Sequence, residues 1–232
     1  MKGILLAAGK GTRLRPLTDN IPKVMIPING KPLIEYHLEQ LARGGITNIF
    51  INLHHLPEKI KEFVGDGKKW GINVNYSYEP EILGTAGAVK KLENELGNEP
   101  FLVVYGDNFL EIDYKDLIQY SKRKNGIGTV VVFEKEDVSG SGILDVRDGD
   151  EISRFVEKPK PLEVFSHWVS AGVYYFNKKI FDFIPPSYSD FGFDVLPLVL
   201  KKKEKLYAYR LKQKVWGIDS FELLEELRKE KE

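Results

Sequence analysis

Near the start of the chain, Ala8-Gly9-Lys10-Gly11-Thr12-Arg13 sets two glycines and two cations in one loop, and Lys23 adds a third cation in a proline-bracketed segment. Such a loop can bind phosphate. Glycine allows φ > 0 and close approach, so backbone N–H groups can face an anion, and the cations add charge beside them. The loop follows the apolar run GILLA at 3–7, which reads as a buried parallel strand. Two better-known phosphate loops are excluded: Leu14 stands where a Rossmann turn needs a third small residue, and the spacing of a P-loop is absent. Asp107 follows Gly106 and a second apolar run, FLVVY at 101–105. That places a carboxylate at a strand's carboxyl end, where ligands gather in open α/β sheets.

The ordered set Leu6-Ala7-Ala8-Gly9-Lys10-Gly11-Thr12-Arg13-Leu14, Pro16-Leu17-Thr18 and Pro22-Lys23 resembles the opening of the sugar-1-phosphate nucleotidylyltransferases, most of all members of the mannose-1-phosphate guanylyltransferase type. The resemblance covers nearly the whole chain. It implies a Rossmann-like three-layer α/β/α fold with a mixed, mostly parallel central sheet, and Mg²⁺-dependent transfer of a nucleotidyl group to a sugar 1-phosphate. That chemistry joins two anions at an α-phosphorus. The nucleophile is already charged, so the demand is for cations, metal ligands and in-line positioning rather than a nucleophilic triad.

Residue by residue, the resemblance implies nucleotide contacts at Leu6, Ala8, Gly9, Gly11, Thr12, Arg13 and Lys23. Arg13 would hold the departing β- and γ-phosphates through its planar fork, and Lys23 would sit near the α-phosphate. Asp107, and Asp219 at the end of Trp216-Gly217-Ile218-Asp219, match aspartates that bind Mg²⁺ in the family. The spacing from Trp216 to Asp219 is one residue longer than usual, and Phe221 replaces an expected glycine. Two bare carboxylates ~4 Å apart would repel by about 4 kcal/mol at an effective dielectric of 20, so a close pair implies a cation between them.

Leu83-Gly84-Thr85-Ala86-Gly87 resembles the family's second nucleotide loop, adding Gly84, Thr85 and Ala86 to the expected contacts. Glu79 stands where thymidylyl- and uridylyl-transferring members tend to place glutamine. A carboxylate only accepts hydrogen bonds, which suits the N1–H and N2–H₂ donors of guanine and repels the carbonyls of uracil or thymine. GTP is therefore the favoured donor, and UTP or dTTP with glucose 1-phosphate or an amino-sugar 1-phosphate is the alternative. Phe155-Val156-Glu157-Lys158-Pro159 resembles the sugar-binding segment: Glu157 would accept from hydroxyls and Lys158 pair with the 1-phosphate. Gly142 and Gly172 match glycines that line the sugar pocket. Asp194-Val195-Leu196-Pro197 also matches a family segment but reads equally well as a helix start.

Composition limits what else the chain could do. Its 232 residues carry 34 basic and 34 acidic side chains, so no net field favours nucleic acid or acidic membrane. With 42% hydrophobic and 29% charged residues it can build a core and a solvated surface. No cysteine is present, which excludes disulfides and thiol catalysis, and four histidines form no zinc pattern. No apolar run nears the ~18 residues of a membrane span, and the amino terminus lacks a cleavage region, so the cytoplasm is the expected compartment. The length is expected to leave no room for the left-handed β-helix that some relatives append. A homo-oligomer remains open.

The elements that must position these residues follow from periodicity. A helix is predicted with Pro32 in its first turn, Ile34, Leu38 and Leu41 at helical spacing and Gly44-Gly45 as its stop. Further helices are predicted over 58–64, 85–96, 113–124, 178–184, 194–203 and 221–231, and strands over 48–53, 72–78, 101–105, 128–133, 170–176 and 206–211. Strands 143–146 and 152–156 form a hairpin. The alternation argues for a largely parallel sheet covered on both faces. One domain is expected, with a nucleotide-binding half over 1–112 and a sugar-phosphate half over 113–232. Two other classes fit the sequence less well. A catalytically silent, nucleotide-sugar-binding regulatory relative would not need Arg13 and Asp107 together. A glycosyltransferase should carry Asp-x-Asp where Gly106-Asp107-Asn108 stands.

Overall fold

The computed structural model of the chain describes residues 1–231. Its contacts resolve two units that interleave in sequence: residues 1–82, 104–114 and 215–231, and residues 83–103 and 115–214. The strand Phe101–Tyr105, whose first four residues are fully buried, runs from the second unit into the first and delivers Asp107 there.

In the first unit, Lys2–Leu6 pairs in parallel with Asn48–Leu53, which pairs in parallel with Asn73–Tyr78. The connecting helices Leu33–Arg43 and Pro57–Val64 form where apolar residues recur at helical spacing. Leu33, Ile34, Leu38 and Leu41 make one buried stripe. The first of these helices ends at Gly44, where a Cβ would stand 2.6 Å from the Cβ of Tyr114, and Gly45 turns the chain with φ +80°.

The carboxyl terminus returns to the amino-terminal loop through a second core cluster of Leu14, Ile26, Ile28, Leu33, Phe109, Trp216, Ile218, Leu224 and Leu227. Ser220 caps the helix Phe221–Glu230 by accepting from the Leu223 N–H at 3.3 Å. A two-residue antiparallel ribbon pairs Trp216 with Phe109 and Gly217 with Asn108, and the Ile218 N–H donates to the Asp107 carbonyl at 3.1 Å. Asp219 thus joins Asp107 because backbone pairing and apolar burial bring two distant segments together.

In the second unit, Gly128–Glu134 pairs antiparallel with Trp168–Phe176 and parallel with Leu206–Arg210. Gly142–Val146 and Ile152–Glu157 form the expected hairpin. Parallel pairing in the first unit, and parallel and antiparallel pairing in the second, give the mixed α/β architecture that the family resemblance implies. Two predicted helices differ. The helix over 85–96 divides into Gly84–Lys90 and Glu93–Leu96, and the one over 194–203 becomes a π-helical turn, Phe191–Val195, before Leu196–Lys201. Pro197 at the first turn of that helix suits a helix start but not a helix interior. Among the described residues, no helix is long and apolar enough to cross a membrane.

His37 lies fully buried on the helix Leu33–Arg43. Desolvation pushes its pKa down to about 4, against a weaker upward pull from Asp107 and the backbone of Gly106 and Asn108. The folded chain therefore binds fewer protons than the unfolded chain between about pH 6.5 and 4, and stability falls as the pH falls through that window. Chemical denaturation should show the protein losing roughly 3 kcal/mol more across this window than a His37→Leu variant does. Equal acid sensitivity in the two proteins would contradict burial of a neutral histidine.

Candidate active site

The amino-terminal loop is fixed at its root by two neighbouring strands. The Ala7 N–H donates to Asn52 Oδ1 at 2.6 Å, and Asn52 Nδ2 donates to Glu79 Oε1 at 2.9 Å. Asn52 is buried and Glu79 is 0% exposed, so this carboxylate turns inward to Asn52 rather than outward to a ligand. Leu6 ends the strand and Ala8 is buried; both precede the residues that line the open depression beyond them. Gly11 adopts φ +61°, and its carbonyl accepts from Thr18 Oγ1 at 2.8 Å and from the Leu14 N–H at 2.9 Å. Leu14 is fully buried, which anchors the turn Thr12–Leu14 and leaves the Arg13 side chain 72% exposed.

Gly9, Gly11, Thr12, Arg13, Lys23, Asp107 and Asp219 line one depression. At its floor, Lys23 Nζ donates to Asp107 Oδ2 at 2.8 Å and to Asp219 Oδ1 at 2.7 Å. Arg13 Nη2 donates to the same Asp219 oxygen at 2.8 Å. The cation between the two carboxylates is therefore a side chain of the protein. The Lys23 side chain is only 8% exposed, and burial works against its charge. Asp107 and Asp219 outweigh that penalty and lift its pKa above the ordinary lysine value, so it is charged at neutral pH.

Two carboxylates converging on one cation are hard oxygen donors of the kind magnesium takes, usually one or two with substrate phosphates completing the shell. Among the described residues, no cluster of three or more His, Cys, Asp or Glu side chains could close a metal site. The donor set fits an ion that arrives with phosphate oxygens better than one caged by protein.

The second unit holds the remaining expected residues. Thr85 donates both its N–H and its hydroxyl to Asp190 Oδ1 at 3.0 Å, and the Phe191 N–H donates to Thr85 Oγ1 at 2.9 Å. Ala86 and Gly87 donate their N–H groups to the Ser189 carbonyl. Gly84 has φ +76°, and a Cβ there would lie 2.4 Å from that carbonyl. The N–H groups at 85–87 are thus engaged within the chain rather than open to an anion. Glu157 lies opposite Gly142 in the hairpin register. Lys158 follows with φ +48°, its N–H on the Ser141 carbonyl at 3.0 Å. Gly172, φ +72°, occupies the register break in Trp168–Phe176. Burial raises the Glu157 pKa, Lys158 lowers it and Asp190 raises it, with a net upward displacement. Asn52, Ser189, Asp190 and Gly192 are structural participants that the sequence reading did not single out.

The Nucleotidyl transferase family profile matches residues 2–218. A UTP–glucose-1-phosphate uridylyltransferase of Synechocystis sp. is 35% identical over 225 residues, covering 91% of this chain and 58% of that protein. A mannose-1-phosphate guanyltransferase of Saccharomyces cerevisiae is also 35% identical, over 216 residues, covering 91% of this chain and 59% of that protein. The chain thus spans somewhat under three fifths of the length of these curated relatives. The crystal structure of HddC from Yersinia pseudotuberculosis complexed with GMP-PN superposes with a TM-score of 0.82 at 28% identity, covering 100% of this chain and 99% of that one.

Lys23→Met would leave Asp107 and Asp219 facing each other without their shared ammonium. Relief of their repulsion then favours an external cation. Calorimetric titration of the nucleotide-free variant should show Mg²⁺ affinity raised by about tenfold, or about 1.4 kcal/mol, over the parent protein. Unchanged or weaker affinity would mean that the lysine does not neutralise this pair.

Proposed function

As the chain belongs to the nucleotidyl transferase family, we propose that it transfers a nucleotidyl group from a nucleoside triphosphate to a sugar 1-phosphate, forming a nucleoside diphosphate sugar and pyrophosphate. The observation that carries this reading is the cluster of Arg13, Lys23, Asp107 and Asp219 at the mouth of the glycine loop. Two anions must meet there, and the attacking phosphate needs no proton removed, so electrostatic positioning is the main task of the protein.

Arg13 exchanges its Asp219 partner for the β- and γ-phosphates that leave, which its exposure permits. Lys23, with two of its three N–H donors on Asp107 and Asp219, directs the third to the α-phosphate, where charge grows in the transition state. Loop N–H groups from Gly9 to Thr12 meet the phosphate chain, with Leu6 and Ala8 at the root of the loop and Gly84, Thr85 and Ala86 toward base and ribose. Asp107 and Asp219 would hold Mg²⁺, which when bound neutralises triphosphate charge. Glu157 accepts from sugar hydroxyls, Lys158 pairs with the 1-phosphate, and Gly142 and Gly172 keep the sugar close to the backbone. Such a reaction draws on the triphosphate pool, and the cytoplasm is its proposed place.

We take GTP and mannose 1-phosphate as the favoured pair. An acceptor-only carboxylate at position 79 complements guanine, provided that it turns from Asn52 toward the base. UTP with glucose 1-phosphate is the second reading, because it needs no such turn and the uridylyl- and guanylyl-transferring relatives are equally identical to this chain. A matrix of four triphosphates against several sugar 1-phosphates, followed by pyrophosphate release, tests both readings. Release with any pair supports the reaction class. GTP as the poorest donor would end the guanine reading alone. With Glu79→Gln, the ratio of kcat/KM for GTP to that for UTP should fall by about tenfold or more if this carboxylate reads the base. An unchanged ratio with lower stability would assign Glu79 to holding Asn52.

A further inference from the structure

Glu157 lies against two glycines, Gly142 of the sugar-binding segment and Gly192, which none of the motifs above includes. Built on Gly142, its partner across the hairpin, a Cβ would lie 2.5 Å from Glu157 Oε2; built on Gly192, a Cβ would lie 2.2 Å from the same oxygen and 2.7 Å from Cδ. Both distances are far inside van der Waals contact, so each position must lack a side chain for the carboxylate to lie where it does. Gly192 sits in the turn Phe191–Val195, and that turn is itself held. Asp190 Oδ1 takes the N–H and hydroxyl of Thr85, Asp194 Oδ2 takes the Asp190 N–H at 2.7 Å, and the Ser189 carbonyl takes the N–H groups of Ala86 and Gly87.

We propose that Gly192 is a positioning residue for the sugar 1-phosphate: with Gly142 it forms a seat for the Glu157 carboxylate, and Asp190 fixes that seat by tying its turn to Thr85. The proposal rests on the sugar-binding reading of Glu157. The missing side chains at Gly142 and Gly192 leave the room that the carboxylate fills, and from that place the acid accepts from a sugar hydroxyl. A conformationally free acid would follow sugars of several shapes. The turn at 189–192 is thus a determinant of which sugar phosphate is taken, although its own side chains need not touch the sugar.

Gly192→Ala separates this role from a merely structural one. The atoms in the way are the far end of a flexible side chain, so the variant is expected to fold by swinging Glu157 out of its seat. Its KM for the sugar 1-phosphate should rise by about tenfold or more, with the KM for the triphosphate unchanged. Glu157→Asp, one methylene shorter, should partly restore the sugar 1-phosphate KM when combined with Gly192→Ala. If Gly192→Ala fails to fold, folding of the double variant supports the seat, and failure of both overturns it. Equal rises in both KM values, or no rescue, would also overturn it.

A readout independent of turnover is the ¹³C titration of the Glu157 carboxyl, which is acted on by burial, Lys158 and Asp190. Its raised pKa should return toward the ordinary glutamate range in Gly192→Ala, and an unmoved value would contradict the seat. If the parent protein releases no pyrophosphate with any substrate pair, the functional reading fails while this titration still judges the seat.

Discussion

A buried ammonium held between two carboxylates is the constraint that organises the first unit. Lys23 is nearly inaccessible, and its charge persists because Asp107 and Asp219 both accept from it. Removing either acid would expose the lysine to the desolvation that its partners now outweigh. The arrangement also sets what must be near what. The amino-terminal loop, the end of the strand Phe101–Tyr105 and the start of the carboxy-terminal helix have to converge on one nitrogen. The ribbon Trp216–Gly217 with Asn108–Phe109, and the apolar cluster around Leu14, Trp216 and Leu227, are the packing that makes them converge.

The same cluster suits anion chemistry because it is balanced without being closed. Arg13 stays mostly exposed and shares an Asp219 oxygen with Lys23, so a phosphate can replace a carboxylate as its partner. The glycine loop beside it is held from behind by the relay from Ala7 through Asn52 to Glu79. Rigid support behind and exchangeable charge in front is what a site needs when it must grip a triphosphate and then release pyrophosphate.

Much of this was legible in the sequence, and the gaps have physical reasons. Glycines and cations in one loop after a buried run mark phosphate chemistry locally, and runs such as FLVVY mark strands without tertiary help. The nearness of Asp219 to Asp107 depended on the family resemblance, because a two-residue ribbon leaves no periodic trace. Asn52 carried a signal, a polar residue at the buried end of the apolar run NIFINL, but its partner, Ala7, lies just past the end of another strand. The turn at 189–192 offered less. Asp190 is 105 residues from Thr85, and Gly192 matters only because Glu157 lies against it. Glu79 shows the opposite limit: residue chemistry suggested a base contact, whereas burial depends on strand packing and turns its carboxylate to Asn52.

The most direct test of the central claim is a crystal structure of the protein soaked with a non-hydrolysable nucleoside triphosphate and Mg²⁺. The triphosphate is expected along residues 9–13, with Arg13 moved from Asp219 onto the terminal phosphates and Lys23 still on Asp107. A triphosphate bound elsewhere at saturation, with Arg13, Lys23, Asp107 and Asp219 unmoved and no phosphate among them, would contradict it.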